Sequence, residues 1–120
     1  MIKHLLLAGA GGGVGATLRY VVYLLFRNAA MPYPTLLINI LGSFILGIIL
    51  AISLKNNDLM EGTKIFLATG VCGGFTTFSA FSAENLQLIE TGKIWVAMLY
   101  IALSVVGGIT ALWLGIKIIN

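Results

Sequence analysis

The sequence has few of the side chains on which most enzymes and metal sites depend. Its 120 residues include one cysteine, Cys72, and one histidine, His4. A single cysteine excludes an internal disulfide, and a single histidine excludes a two-histidine metal site. Because no nucleophile with a nearby base can be assembled from Cys72, His4, Glu84 and the few lysines, we expect the protein not to be an enzyme.

Charged side chains are scarce as well. They make up 9% of the chain and hydrophobic residues 59%, whereas an average soluble domain has about 25% charged residues. Four apolar stretches each approach the roughly 20 residues that span a bilayer, and they cover Leu5–Phe26, Tyr33–Leu54, Lys64–Leu88 and Ile94–Ile116. The composition predicts an all-α integral membrane protein, with residues 1–120 forming one domain of four transmembrane helices in a lipid bilayer.

The few charges bear on partners and on orientation. Seven basic and four acidic residues give a net charge of +3, but they form no basic stripe, so we expect no nucleic-acid partner. No small-residue cleavage site follows a short apolar core, so we expect no removable signal peptide. The positive-inside rule gives only a weak orientation bias. Four basic residues are expected on one side of the membrane and two on the other. The first group is Lys3, Lys55, Lys64 and Lys117, and the second is Arg27 and Lys93.

The third span contains an unusual polar stretch at residues 73–82, GGFTTFSAFS. Each of its two adjacent glycines weakens a helix by roughly 1 kcal/mol relative to alanine. Unpaired backbone groups at membrane depth persist only inside protein or beside a water-filled cavity. The apolar run Ile65–Cys72 is too short to cross alone, and the following Ser79–Leu88 is polar. We therefore expect two half-helices around a functional break, whose free ends can hold ions.

The first span is rich in small residues that lie four apart, such as Gly9 with Gly13 and Gly11 with Gly15. This spacing favours close helix packing in membranes. The run also loosely matches a dinucleotide-binding pattern ending at Ala16. It lacks the preceding strand and the later acidic residue of that motif, so we do not expect a nucleotide site.

Spans two and four each carry a polar stripe on one helix face. Thr35, Asn39 and Ser43 follow each other at intervals of four in span two, and Tyr100 and Ser104 do so in span four. Residues four apart lie on the same side of a helix. Both stripes are therefore expected to pack inward, away from lipid.

Several of these residues could contact an anion. Arg19 lies deep in span one with no acid in that helix, so it either attracts an anion or extends its side chain to the headgroups. Asn39 can donate hydrogen bonds to an anion or join neighbouring helices. Phe78 and Phe81 share a helix face, and the edges of their rings are electropositive, although aromatic residues are more often core. Ser79, Ser82 and Glu84 lie among them, a mixture typical of a pore wall.

Three motifs together give the chain a family resemblance. They are GGVGA followed by Arg19 and Tyr20 in span one, residues 35–44, TLLINILGSF, in span two, and residues 70–81, GVCGGFTTFSAF, in span three. With these motifs the chain resembles the Fluc (CrcB) family of bacterial fluoride channels over nearly its whole length. Pro34 departs from the family pattern, in which a glycine usually precedes the threonine, and proline is tolerated in a first helical turn.

The resemblance implies an antiparallel, dual-topology homodimer in the bacterial plasma membrane, or a pair of homologous chains, that exports fluoride passively and relieves its toxicity. It implies two pores per dimer and a structural sodium ion at the dimer centre, held by the backbone carbonyls of Gly73 and Thr76. Arg19 is expected in the vestibule. The residues expected along the fluoride pore are Thr35, Asn39, Phe78, Ser79, Phe81, Ser82, Glu84, Tyr100 and Ser104.

Two other functions stay open at this point. A small dual-topology, proton-coupled multidrug exporter also has four spans, but it needs an acid embedded in span one, where this chain has only Arg19. A scaffold subunit without transport would need glycine-rich packing faces, but neither polar stripes nor a broken span.

Overall fold

The computed structural model describes residues 1–29, 32–56 and 60–120, and these residues are helical apart from short connections. Four segments are long and apolar enough to cross a membrane, which confirms the prediction of four spans. Three of them are continuous helices, namely α1 (Ile2–Leu25), α2 (Tyr33–Asn56) and α6 (Ile94–Ile119). Both α1 and α6 extend beyond the predicted apolar stretches, because hydropathy marks only the part of a helix that lies in hydrocarbon.

The third span, Glu61–Glu90, is built from several pieces. In chain order they are α3 (Glu61–Lys64), a π-helical segment (Ile65–Cys72), α4 (Gly73–Phe75) and α5 (Phe78–Glu90). The π-helical segment has the wider hydrogen-bond spacing, in which the Gly73 N–H donates to the Ala68 carbonyl five residues earlier. Such segments are rare in proteins, and those that occur are often found at functional sites. The sequence did not predict this one.

The break in the third span lies at Thr76 and Thr77. Both residues have extended backbones, with φ −78° and ψ 156° at Thr76 and φ −149° and ψ 113° at Thr77. The Thr77 hydroxyl accepts a hydrogen bond of 3.1 Å from the Ala80 N–H and so caps α5. The break therefore falls inside the polar stretch that the sequence singled out, although Gly73 and Gly74 are themselves helical and Phe75 separates them from it.

The helices pack as two pairs, α2 with α6 and α1 with the first half of the third span. Small residues allow this close approach. A Cβ on Gly11 would collide with the Phe66 carbonyl oxygen, and one on Gly115 would collide with the Phe44 carbonyl oxygen. By contrast, Gly9 and Gly13 have no neighbour close enough to meet a Cβ. Among the described residues, the face of α1 that contains Gly11 therefore packs against the third span, and the face with Gly9 and Gly13 does not.

A tight turn joins α5 to α6. Gly92 has a φ of +81°, which side chains disfavour, and its N–H donates to the Ile89 carbonyl. The Lys93 N–H donates to the Leu88 carbonyl at 2.8 Å. This pair of bonds is a Schellman motif, which ends a helix at a glycine. The turn makes α5 and α6 antiparallel neighbours.

Much of the surface is apolar. In the most apolar part of each span, between 11% and 33% of the residues are buried within the chain. The remaining apolar side chains need lipid or another chain as a neighbour, because exposed apolar area of this extent is unfavourable in water. The protein is accordingly a multi-pass membrane protein.

Candidate functional site

The Asn39 side chain of α2 forms hydrogen bonds with the backbone of the break. Its Oδ1 accepts a hydrogen bond of 2.8 Å from the Thr77 N–H, and its Nδ2 donates to the Thr77 carbonyl at 3.2 Å. The amide thus pairs with both backbone groups of a residue that has left the helix. Because an amide nitrogen carries two hydrogens, Asn39 keeps one further N–H for another partner.

The break also frees backbone carbonyls, including those of Gly73 and Thr76. In a continuous α-helix the Gly73 carbonyl would accept from the Thr77 N–H, and the Thr76 carbonyl from the Ala80 N–H. Here the Thr77 N–H donates to Asn39 and the Ala80 N–H donates to the Thr77 hydroxyl. Within the described residues, the Gly73 and Thr76 carbonyl oxygens are left without a hydrogen-bond donor. They are available to a cation or to water.

The guanidinium of Arg19 caps a third carbonyl. Its Nε donates a hydrogen bond of 3.1 Å to the Gly74 oxygen, at the end of α4. The carbonyl end of a helix carries partial negative charge, so a cation is favoured there. Arg19 is half-buried. The structure therefore places it against the break rather than extended towards the headgroups, and its remaining N–H groups are not used in this bond.

A recess of about 310 Å³ opens beside the break. Its wall contains Asn39, Gly73, Thr76 and Thr77 together with Ser43 and Phe78. The residues expected to hold sodium and the central residue of the expected pore thus line one cavity. The recess is lined by parts of α2 and of both halves of the third span.

The two phenylalanines lie next to each other on α5, as their spacing predicts. Their ring centroids are 5.6 Å apart, and the Phe81 ring meets the Tyr100 ring edge-on at 5.0 Å. Phe78 is 77% exposed, whereas Phe81 is half-buried. One ring therefore projects from the chain while the other is fixed against α6.

The serines near the phenylalanines differ in their contacts. Ser79 is exposed, and its hydroxyl lies 3.1 Å from that of Thr77. Ser82 is also exposed and makes no hydrogen bond to another described side chain. The Ser104 hydroxyl oxygen is buried without a partner among the described residues. It lines a shallow groove of about 410 Å³ between α2 and α6, together with Ser43 and Gly108.

A hydrogen-bonded network surrounds Glu84. The Thr35 hydroxyl donates to its Oε2 and the Tyr100 hydroxyl donates to its Oε1, both at 2.8 Å. The Tyr23 hydroxyl lies 2.8 Å from that of Thr35. Thr35 is fully buried and Tyr100 is 2% exposed. The two polar stripes therefore pack inward at these positions, and both end on the same carboxyl group.

Sequence reasoning did not identify Thr77, Tyr23 or Asn85 as members of the site. Thr77 could have been found, because a threonine that lies between a glycine-containing segment and the next helix is a typical N-cap. Tyr23 meets Thr35 only through tertiary packing, for which the spacing gives no signal. Asn85 is 6% exposed and donates to the Phe81 carbonyl at 2.9 Å, and its Oδ1 has no partner among the described residues.

The fold and the site define the class to which this chain belongs, a small multi-pass membrane protein with a polar break in one span. The family model described as "CrcB-like protein, Camphor Resistance (CrcB)" matches residues 6–116, and the chain belongs to this family. The family resemblance that the three motifs suggested is thereby confirmed.

The similar proteins carry a consistent name. A protein of Azobacteroides pseudotrichonymphae is 48% identical over 118 residues, which cover 96% of this chain and 94% of that protein. A protein of Flavobacterium psychrophilum is 42% identical over 120 residues, with 98% and 97% covered. Both are named "Fluoride-specific ion channel FluC". The names describe ion channels rather than enzymes, in agreement with the expectation from the sequence.

Proposed function

We propose that this chain is a fluoride-selective channel. The observation that carries the proposal is the break at Thr76 and Thr77, where Asn39 is fixed with a spare N–H beside an open recess. A polar break in a span costs free energy, so such breaks usually mark functional sites. The identity of the ion is inferred from the names of the relatives. No observation favours the multidrug exporter, since α1 carries no acidic residue.

The proposed path runs along α5. Fluoride meets the spare N–H of Asn39, the ring edges of Phe78 and Phe81, and the hydroxyls of Ser79 and Ser82. It then passes towards the Glu84 network, while Ser104, which shares a groove with Ser43, lies at the end of the path near Asn39. The remaining members of the expected set are Thr35 and Tyr100, which bond to Glu84, and Arg19 in the vestibule. The 5.6 Å separation of the two rings supports a continuous aromatic edge on this side of α5.

Selectivity follows from the chemistry of these groups. A small anion has a tightly held water shell, so it crosses only where donors replace that water. An amide N–H and electropositive ring edges can do so without carrying a charge that would trap the ion. A larger anion such as chloride does not fit a path that is sized for fluoride.

The freed carbonyls of Gly73 and Thr76 are suited to hold the proposed sodium ion. Unwound backbone carbonyls and the carbonyl ends of half-helices coordinate sodium in transporters. Both oxygens lack a donor within the described residues, and both residues line the recess. A bound cation would supply positive charge that joins the breaks of two subunits. The proposed role of the sodium ion is structural.

We further propose that two chains assemble as an antiparallel dimer, either of identical chains or of two homologous chains. The recess supports this arrangement, because a second chain would cover polar groups that lipid cannot satisfy. The weak charge bias supports the insertion of both orientations. The pores of such a dimer would be lined by both subunits.

In the plasma membrane of a bacterium this channel would export fluoride passively. Hydrogen fluoride enters an acid-exposed cell, dissociates in the neutral cytoplasm and leaves the anion trapped unless a channel is present. The test is growth in fluoride of a bacterial strain that lacks its own fluoride exporter. Expression of this chain should restore growth in fluoride. Equal growth with and without the chain, at matched expression in the membrane, would contradict the proposal.

A further inference from the structure

The hydrogen-bond network around Glu84 has a fixed direction. The single Thr35 hydrogen is donated to Oε2 of Glu84. A threonine hydroxyl has one hydrogen and two lone pairs. In the bond of 2.8 Å between Tyr23 and Thr35, Tyr23 must therefore be the donor. The chain of donation runs from Tyr23 to Thr35 to Glu84, and Tyr100 donates to the other carboxyl oxygen.

This network joins four helices at one buried point. Tyr23 belongs to α1, Thr35 to α2, Glu84 to α5 and Tyr100 to α6. Thr35 is fully buried and Tyr23 is half-buried. In a poorly solvated interior, hydrogen bonds in series polarise and strengthen each other. The Tyr23 donor therefore strengthens the bond by which Thr35 holds Glu84.

A threonine inside a helix has an alternative partner. Thr35 lies in the first turn of α2, and its hydroxyl can instead turn to the Pro32 carbonyl three residues earlier, which also accepts from the Leu36 N–H. In that orientation Thr35 would no longer donate to Glu84, and the carboxyl group would lose one of its two donors. Donation from Tyr23 favours the rotamer in which the Thr35 hydroxyl lies between the tyrosine and the carboxylate.

We propose that Tyr23 is a positioning residue of the ion path, which acts through Thr35 to fix the Glu84 carboxylate beside the aromatic edge of α5. The proposal rests on the proposed function, because it assigns Tyr23 a part in fluoride passage. Tyr23 does not itself contact the ion. Its effect should vanish when Thr35 can no longer relay it.

The test compares fluoride efflux from liposomes for four variants, read with a fluoride-selective electrode. Y23F should lower efflux by roughly five- to tenfold, about the effect of one lost hydrogen bond. T35V should have a similar effect. T35S keeps the hydroxyl and should retain most of the wild-type efflux. In the T35V background, Y23F should add less than about a twofold loss, because coupled residues are not additive. Independent, multiplicative losses would overturn the proposal.

A matched control lies one turn earlier on the same helix. Tyr20 is 63% exposed and takes no part in the network, so Y20F should leave efflux unchanged. Y23F removes a single oxygen and should assemble like the wild type, as judged by size-exclusion chromatography. A Y23F variant that fails to assemble would overturn the proposal, because it would assign Tyr23 to folding.

A second measurement separates this proposal from the proposed function. The chain has only four acidic side chains, so the infrared carboxyl band of Glu84 can be assigned by subtracting the spectrum of E84Q. Y23F should shift that band towards the position of a carboxylate with fewer donors, whether or not fluoride is conducted. If the wild type conducts no fluoride, the proposed function fails. An unshifted Glu84 band in Y23F would overturn the role of Tyr23 by itself.

Discussion

At the scale of single residues, the Asn39 amide uses both of its polar atoms to hold the backbone of Thr77. The sequence placed Asn39 in the middle of a span and left open whether it served an anion or joined helices. The geometry supports both, since one N–H stays free after the two bonds to Thr77 are made. A substitution at this position therefore affects the break and the path together.

Replacing Asn39 with aspartate should abolish fluoride efflux. The Thr77 carbonyl loses its donor, which costs about 1–3 kcal/mol when the group is buried. The new carboxylate also repels an anion in a medium of low dielectric constant. We expect at least a roughly hundredfold loss of efflux from liposomes, since about 2.7 kcal/mol corresponds to that factor. S43A, which changes another residue of the recess, should retain most of the efflux, and wild-type efflux in N39D would remove Asn39 from the path.

Replacing Phe78 or Phe81 with isoleucine keeps much of the volume but removes the electropositive ring edge. Interactions of aromatic rings are worth about 0.5–1.5 kcal/mol, so fluoride efflux should fall by up to roughly tenfold. F81I also loses the edge contact to Tyr100 and should be the less stable variant. Assembly should survive in both. F26I, at the end of α1, is the control, and unchanged efflux in F78I and F81I would refute the ring-edge role.

At the scale of elements, the third span is organised by what replaces its missing helical hydrogen bonds. Arg19 takes the Gly74 carbonyl, Asn39 takes Thr77, and the Thr77 hydroxyl caps α5. The Gly73, Phe75 and Thr76 carbonyl oxygens are left without a donor among the described residues. The break is thus a defined structure and not a frayed helix, and its stability depends on a few side chains.

The Thr77 cap gives a test at this scale. T77A removes the acceptor of the Ala80 N–H, and loss of such a cap costs about 1 kcal/mol. The thermal midpoint of the detergent-solubilised protein should fall, and fluoride efflux should fall with it. T77S keeps the hydroxyl and should behave like the wild type. If T77A matched T77S in both measurements, the cap would not stabilise the break.

At the scale of the whole molecule, each chain leaves a polar recess and much apolar surface without a partner of its own. The basic residues at the ends of the spans give little preference for one orientation. On one side, the Lys55 ammonium donates to the Ile119 carbonyl at 3.0 Å, which brings the ends of α2 and α6 together as the charge count assumed. These features favour a dimer whose two chains insert in opposite directions.

Dual insertion can be tested by labelling from outside the cell. In a chain that carries C72A and a new cysteine at the exposed Asn120, an impermeant thiol reagent should label about half of the molecules, because the positive-inside signal is weak. Permeabilised cells should show complete labelling as the control. Labelling of nearly all or nearly none of the chains in intact cells would contradict the antiparallel arrangement.

The features of this fold and site could be predicted from the sequence to different degrees. Four spans follow from hydropathy, and the polar stretch at residues 73–82 locates the break to within a few residues, because these are local signals, although the two glycines in it are helical. The pairing of Asn39 with Thr77, of Arg19 with Gly74 and of Tyr23 with Thr35 depends on how separate helices dock. The π-helical segment depends on packing as well. Spacing within one helix carries no information about such contacts.

The most direct measurement is efflux from liposomes that contain the purified wild-type protein, with fluoride and chloride followed in parallel. We expect rapid release of fluoride, while chloride release stays at the level of protein-free liposomes. Chloride release as rapid as that of fluoride would contradict selectivity. An absence of fluoride release from folded, reconstituted protein would contradict the channel itself.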